Sequence, residues 1–138
     1  MFRVLRRPSD KERNKKLREA VAALENGRYG FIDADRHLAE DMDELGAEDT
    51  EDHLEKVLEF LEEIQRAGGG DCYVGTYPPQ RCYHKNFQNL ELYAFAWDSP
   101  GAGKRMHLKF GIRLGEADGS PTFLYLDCHE DKTDKKNR

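Results

Sequence analysis

A chain of 138 residues with a formal net charge of −5 and a mean hydropathy of −0.88 has single-domain length, enough to bury a core without metal or disulfide staples. No apolar run approaches the ~20 residues of a membrane helix, and the basic N-terminal flank lacks the apolar segment of a secretory signal. Three cysteines (Cys72, Cys82, Cys128) give no even disulfide framework, so the expectation is one reduced, cytoplasmic domain over 1–138, with no membrane partner and with 1–8 and 130–138 flexible.

In chain order, Ser9-Asp-Lys-Glu12 has the pattern of a capping box, in which hydroxyl and carboxylate satisfy each other's backbone N–H groups. Leu17, Ala20, Val21 and Leu24 follow at helical spacing, and Asn26-Gly27 closes the helix. A second helix is predicted from Asp33 to Leu45, with Leu38, Met42 and Leu45 on one side and Gly46 as its stop. A third opens at Thr50, carries the stripe Leu54, Val57, Leu58, Leu61 and Ile64, and ends at Gly68-Gly69-Gly70.

Beyond Gly70 the period changes from 3.6 to 2. Strands are predicted at 72–77, at 90–97 (apolar on both faces, hence central), at 104–114 and at 122–129, with turns at 98–104 and 115–121. Helices followed by hairpin-connected strands define an α+β class: about three helices on one face of a three- or four-stranded antiparallel sheet. No repeat or linker interrupts the chain.

Charge is segregated. Residues 33–63 carry fourteen acidic residues against Arg36 and Lys56, whereas residues 72–113 carry six basic residues against Glu91 and Asp98. The predicted sheet is therefore locally basic despite a pI of 5.6. In 104–114, Met106, Leu108, Phe110, Ile112 and Leu114 alternate with His107, Lys109, Gly111 and Arg113, and the second set faces away from the core. Period-two alternation in the last strand puts Tyr125 and His129 on that same face. Arg81, Tyr83, His84 and Lys85 precede the 90–97 strand, and Arg105 opens the next one.

Such a face suits RNA cleavage without a metal or other cofactor. Histidine can take the 2′-hydroxyl proton or protonate the departing 5′ oxygen, cations meet the charge developing on phosphate, and tyrosine stacks on an unpaired base. The short "GAGKR" (101–105) lies in a hairpin and does not form a phosphate loop. A second reading is a protein-binding module without catalysis. A third is a zinc site drawn from Cys72, Cys82, His84, Cys128 and His129, although tetrahedral sites favour tighter paired spacings.

The order of elements resembles the motility quorum-sensing regulator (MqsR) toxins over roughly residues 15–132. The resemblance rests on "DELG" after the second helix, the "ELY" strand, the hydrophobic-His-Leu-Lys strand and the final "HEDK". It implies a RelE-like fold and an mRNA interferase of a type II toxin–antitoxin system, with mRNA as substrate and a cognate antitoxin protein as partner. It further implies that His107 takes the role of a catalytic tyrosine, Lys109 keeps that motif's lysine, and His129 stands at a functional lysine position. Another family lysine falls near Val74, with Lys85 or Arg81 as spatial substitutes, and a functional glutamine corresponds best to Gln88. The catalytic set expected from residues and resemblance together is His107, Lys109 and His129. Arg81, Tyr83, His84, Lys85, Gln88, Arg105, Arg113 and Tyr125 are expected to bind substrate.

Overall fold

The computed structural model describes residues 8–76 and 78–132, so most of the two flanks expected to be flexible lies outside the described residues. Helix α1 spans Asp10–Glu25, and its Ser9 cap accepts a hydrogen bond from the Glu12 amide at 3.1 Å, as the capping box requires. Pro8, the first described residue, is buried, and its carbonyl accepts a hydrogen bond from Arg13 at 2.7 Å. Strand β1 (Tyr29–Phe31) follows. Helix α2 (Ala34–Leu45) starts at Asp33, whose φ of 55° is left-handed, and stops at left-handed Gly46. Helix α3 (Thr50–Arg66) is capped by Asp49, which accepts from the Asp52 amide at 2.8 Å. No described helix is long and apolar enough to cross a membrane.

Four further strands complete one sheet: β2 (Gln80–Arg81), β3 (Glu91–Ser99), β4 (Lys104–Leu114) and β5 (Pro121–Glu130). Their order is β1-β5-β4-β3-β2, with β1 parallel to β5 and the other neighbours antiparallel. The α+β class holds, but the sheet has five strands and is mixed, not a three- or four-stranded antiparallel one. Two strands are added, β1 and β2, of three and two residues, too short to show a period, while the expected strand at 72–77 is not one of the five. The centre of the sheet is β4; β3 lies between it and the two-residue β2. Glu130 ends β5, paired with Met106.

Of the expected strand at 72–77, the described residues 72–76 hold a single bridge, between Tyr73 and Phe95, preceded by a 3-10 turn at Gly69–Cys72, and Tyr77 lies outside the described residues. Gly69 adopts a positive φ of 59°, and the Asn14 side chain accepts the Gly70 amide at 2.8 Å, so this segment is pinned beneath α1 and leaves the sheet.

Leu17 and Ala20 of α1, Val57, Leu61 and Ile64 of α3, and Phe95, Trp97, Met106, Leu108 and Phe110 of the sheet form the main core. A smaller cluster of Ile32, Cys82, Leu92 and Leu124, packed against Phe87, Leu90 and Leu126, covers part of the opposite face. That second cover buries Leu92 on the outer face of β3, whose residues Leu92–Trp97 are all buried.

Two buried polar networks fix the helices to the sheet. Glu63 accepts from the Trp97 indole at 2.9 Å, the Ser99 hydroxyl at 2.5 Å and the Gly101 amide at 2.9 Å. Burial alone would raise its carboxyl, but these donors more than offset it and hold the group below its ordinary value. Tyr125 donates to Asp41 at 2.6 Å while its oxygen lies 2.9 Å from Nε2 of His53. A tyrosine that has given its proton to Asp41 must accept from His53, which fixes a neutral ring protonated on Nε2. Burial depresses His53 to about 4 and raises Asp41. Where β1 ends, α2 takes over the β5 edge: Asp41 accepts the Cys128 amide at 3.0 Å and Glu44 accepts the Glu130 amide at 2.7 Å.

Candidate functional site

The pairing of β4 with β5 slips by one residue. Lys109 faces Asp127 and Phe110 faces Tyr125, so Leu126 is the extra residue of a bulge. The bulge reverses the parity of β5. Past it, Asp127 and His129 share the outer face with His107 and Lys109. Before it, Phe123 and Tyr125 turn inward with Phe110 and Ile112. Tyr125 is therefore a core residue and not a substrate-binding one; uniform alternation put it on the wrong face.

His107 and His129 are direct cross-strand partners whose rings stack with centroids 5.1 Å apart and planes 15° apart. Oδ1 of Asp127 lies 3.5 Å from Nδ1 of His107 and 3.5 Å from Nε2 of His129. Burial would raise the Asp127 carboxyl, yet the two histidines, with His37 of α2 acting electrostatically, hold it below its ordinary value. A carboxylate thus stands between two imidazoles.

Next to this trio a cleft of about 340 Å³ opens between the start of α2 and the segment that carries β2. Arg36, His37, His84 and Lys109 line it, with Asp33 as the opposing charge and the apolar Ile32, Leu92 and Leu126 as its floor. Lys109 joins trio and cleft: it is in register with Asp127 and its ammonium is held by the Gln80 side-chain oxygen. Tyr83, 84% exposed, stands at the cleft margin. A cationic cleft with one exposed ring suits a phosphodiester carrying an unpaired base.

Of the residues expected from the sequence, the fold brings His107, Lys109 and His129 onto one face and places Tyr83 and His84 beside them. Arg105 shares the face but is engaged at its far end by Asp98 and Asp131. Arg113 sits 5.0 Å over the Phe87 ring and donates to the Asn86 carbonyl. Arg81 donates to the Asn89 carbonyl, and Lys85 and Gln88 are exposed on the 82–90 loop, outside the cleft lining. Val74 is half exposed.

The five-residue zinc set does not assemble. Cys82 belongs to the outer cluster and Cys128 to the main core, on opposite faces of the sheet, while the Cys72 thiol lies against the Ile64 and Ala67 carbonyls at the end of α3. Burial also pushes the Cys128 thiol well above its ordinary value, away from the thiolate a metal needs. Sequence reasoning missed Asp127, Arg36, His37 and Gln80. Asp127-x-His129 was the signal available for the first; the others meet the site only through α2 and β2.

Comparison with protein-family models, curated proteins and solved structures finds no match.

Proposed function

We propose that this protein is an endoribonuclease that cleaves mRNA on the outer face of its sheet without a metal cofactor, as a toxin restrained by a cognate antitoxin. The observation that carries the reading is the pair of imidazoles sharing one carboxylate oxygen beside a cationic cleft. One neutral imidazole removes the 2′-hydroxyl proton as that oxygen attacks the adjacent phosphorus. The other, protonated, gives its proton to the departing 5′ oxygen, leaving a cyclic phosphate. Asp127 stabilises whichever ring carries the charge, and Lys109 with Arg36 neutralises the phosphate oxygens. Tyr83 offers a stacking surface for a neighbouring base. The toxin and antitoxin assignment draws on the resemblance over roughly residues 15–132.

A second reading, a binding module of the same fold without catalysis, is favoured by one observation. The position where the resemblance calls for a functional lysine carries the half-exposed Val74.

The deciding experiment incubates the protein with mixed-sequence RNA in EDTA and maps new ends by primer extension, with His107→Ala and Lys109→Ala beside it. Discrete cuts absent from both folded variants support the ribonuclease. A folded double variant that still cuts ends this mechanism, and no cutting by the wild type transfers the weight to the binding module.

A further inference from the structure

His107, Asp127 and His129 present three donor atoms to one small space: Nδ1, Oδ1 and Nε2 all lie within 4.8 Å of one another. Each nitrogen is 3.5 Å from the carboxylate oxygen. A charge-assisted hydrogen bond closes to ~2.7–2.9 Å, so these contacts are long for shared protons. These two nitrogen–oxygen separations are close to the ~3.4 Å edge of a tetrahedron whose donors stand ~2.0–2.1 Å from a zinc ion, and the nitrogens, within 4.8 Å of each other, need only a small adjustment to complete the face.

Proton positions lead the same way. Nδ1 of His129 is 2.9 Å from the Glu130 carbonyl, which can only accept, so this nitrogen carries the proton. A neutral His129 therefore turns the bare lone pair of Nε2 toward Asp127. Nδ1 of His107 and Oδ1 of Asp127 are buried and face each other at 3.5 Å, too far for a hydrogen bond of ordinary length. With His107 in the tautomer that leaves Nδ1 bare, three lone pairs converge, and the carbonyl behind His129 orients its ring as outer partners orient metal-bound histidines.

We propose that His107, Asp127 and His129 bind one divalent transition-metal ion of the zinc type, with a fourth position left open. Two imidazoles and a carboxylate favour zinc and its neighbours over magnesium or calcium. Lys109, in register with Asp127, opposes the added charge, so the ion is held reversibly. It occupies the lone pairs that proton transfer needs, and zinc is accordingly an inhibitor; this consequence, unlike the binding, rests on the ribonuclease reading.

The test uses the full chain stripped with a chelator and then freed of it. Calorimetry with Zn²⁺ should give one ion per chain, and Co²⁺ should give the visible bands of a four-coordinate site. Asp127→Asn and His129→Gln should each weaken binding by about tenfold or more while keeping the wild-type circular dichroism. Absence of binding at about 100 μM metal, or equal binding by both variants, overturns the site. If a variant fails to fold, wild-type ring resonances decide: Zn²⁺ must shift those of His107 and His129 and spare the core residue His53. RNA cleavage with and without Zn²⁺ separates the two proposals. Zinc binding with no cleavage under any condition upholds the site and overturns the ribonuclease; cleavage in chelator without zinc binding does the reverse. Cleavage stimulated by Zn²⁺ overturns the inhibitory role.

Discussion

His107 and His129 face each other across β4 and β5, with nearly parallel rings and the same carboxylate oxygen of Asp127 within 3.5 Å of both. Neither histidine is buried in the core, so either can be changed with little effect on the fold. His107→Ala should lower the cleavage rate by ~10²–10⁴-fold, the usual worth of a general acid or base. Asp127→Asn, which keeps the shape and removes the charge, should lower it less. Initial rates in EDTA on one RNA measure both, and unchanged melting temperatures would tie the loss to chemistry.

The bulge at Leu126 makes a separate prediction. Deleting Leu126 forces a choice between keeping Phe123 and Tyr125 in the core and keeping Asp127 and His129 on the outer face. Either outcome loses an arrangement the protein uses, and expelling the aromatics should cost about 3–5 kcal/mol for each. Urea melting reports the loss. A chain that melts normally and still cuts RNA would contradict the role given to the bulge.

Much of the architecture is legible in the sequence alone. Ser9 with Glu12, Gly46 and the 54–64 stripe mark helices through local chemistry, and local chemistry is written in adjacent residues. The outward set on β4 was legible for the same reason. Tyr125 was not, because one extra residue in a strand leaves no mark in composition yet inverts every side chain before it. Nor was β1: three residues paired in parallel are specified by the partner strand and not by their own pattern. Arg36 and His37 looked like members of a solvated acidic helix, and only the packing of α2 along β5 brings them to the cleft.

Gly111 sits under the loop that carries Tyr83 and His84. A Cβ there would meet Cδ2 of Leu90 at 2.6 Å and the Glu91 carbonyl at 3.1 Å. Gly111→Ala should therefore destabilise by about 1–3 kcal/mol and lift the 82–90 loop. Adding Leu90→Ala should restore part of the stability, which a double-mutant cycle by thermal melting would reveal.

His53 and Glu63 set the acid limit of stability. His53 titrates at about 4 in the folded chain against about 6.5 when unfolded, so the unfolded state binds the extra proton between those values. Stability is unaffected above about pH 6.5 and falls as the pH drops toward 4, by about 3 kcal/mol in all. Glu63, held below its ordinary value, adds stability above that value that is lost on further acidification. His53→Gln should flatten the pH 4–6.5 slope of urea-derived stability even if it lowers the plateau.

Glu63 also ties α3 to the β3–β4 hairpin through three donors. Glu63→Ala leaves the Trp97 indole, the Ser99 hydroxyl and the Gly101 amide without their acceptor and should cost about 3 kcal/mol. Trp97 is the single tryptophan, so its fluorescence should report the loss directly.

The parallel pairing of β1 with β5 joins Tyr29–Phe31 to Phe123–Tyr125, segments separated by most of the chain. Closing so long a loop is an entropic barrier that the hairpins of β3, β4 and β5 do not face. The order of assembly then runs from those hairpins outward. His107, Asp127 and His129 come together with the β4–β5 pairing, while the α2 wall of the cleft docks only once β1 has found its partner. In hydrogen exchange, the amides of β1 and α2 should open before those of β4, and the cleft would come apart while the two histidines are still side by side.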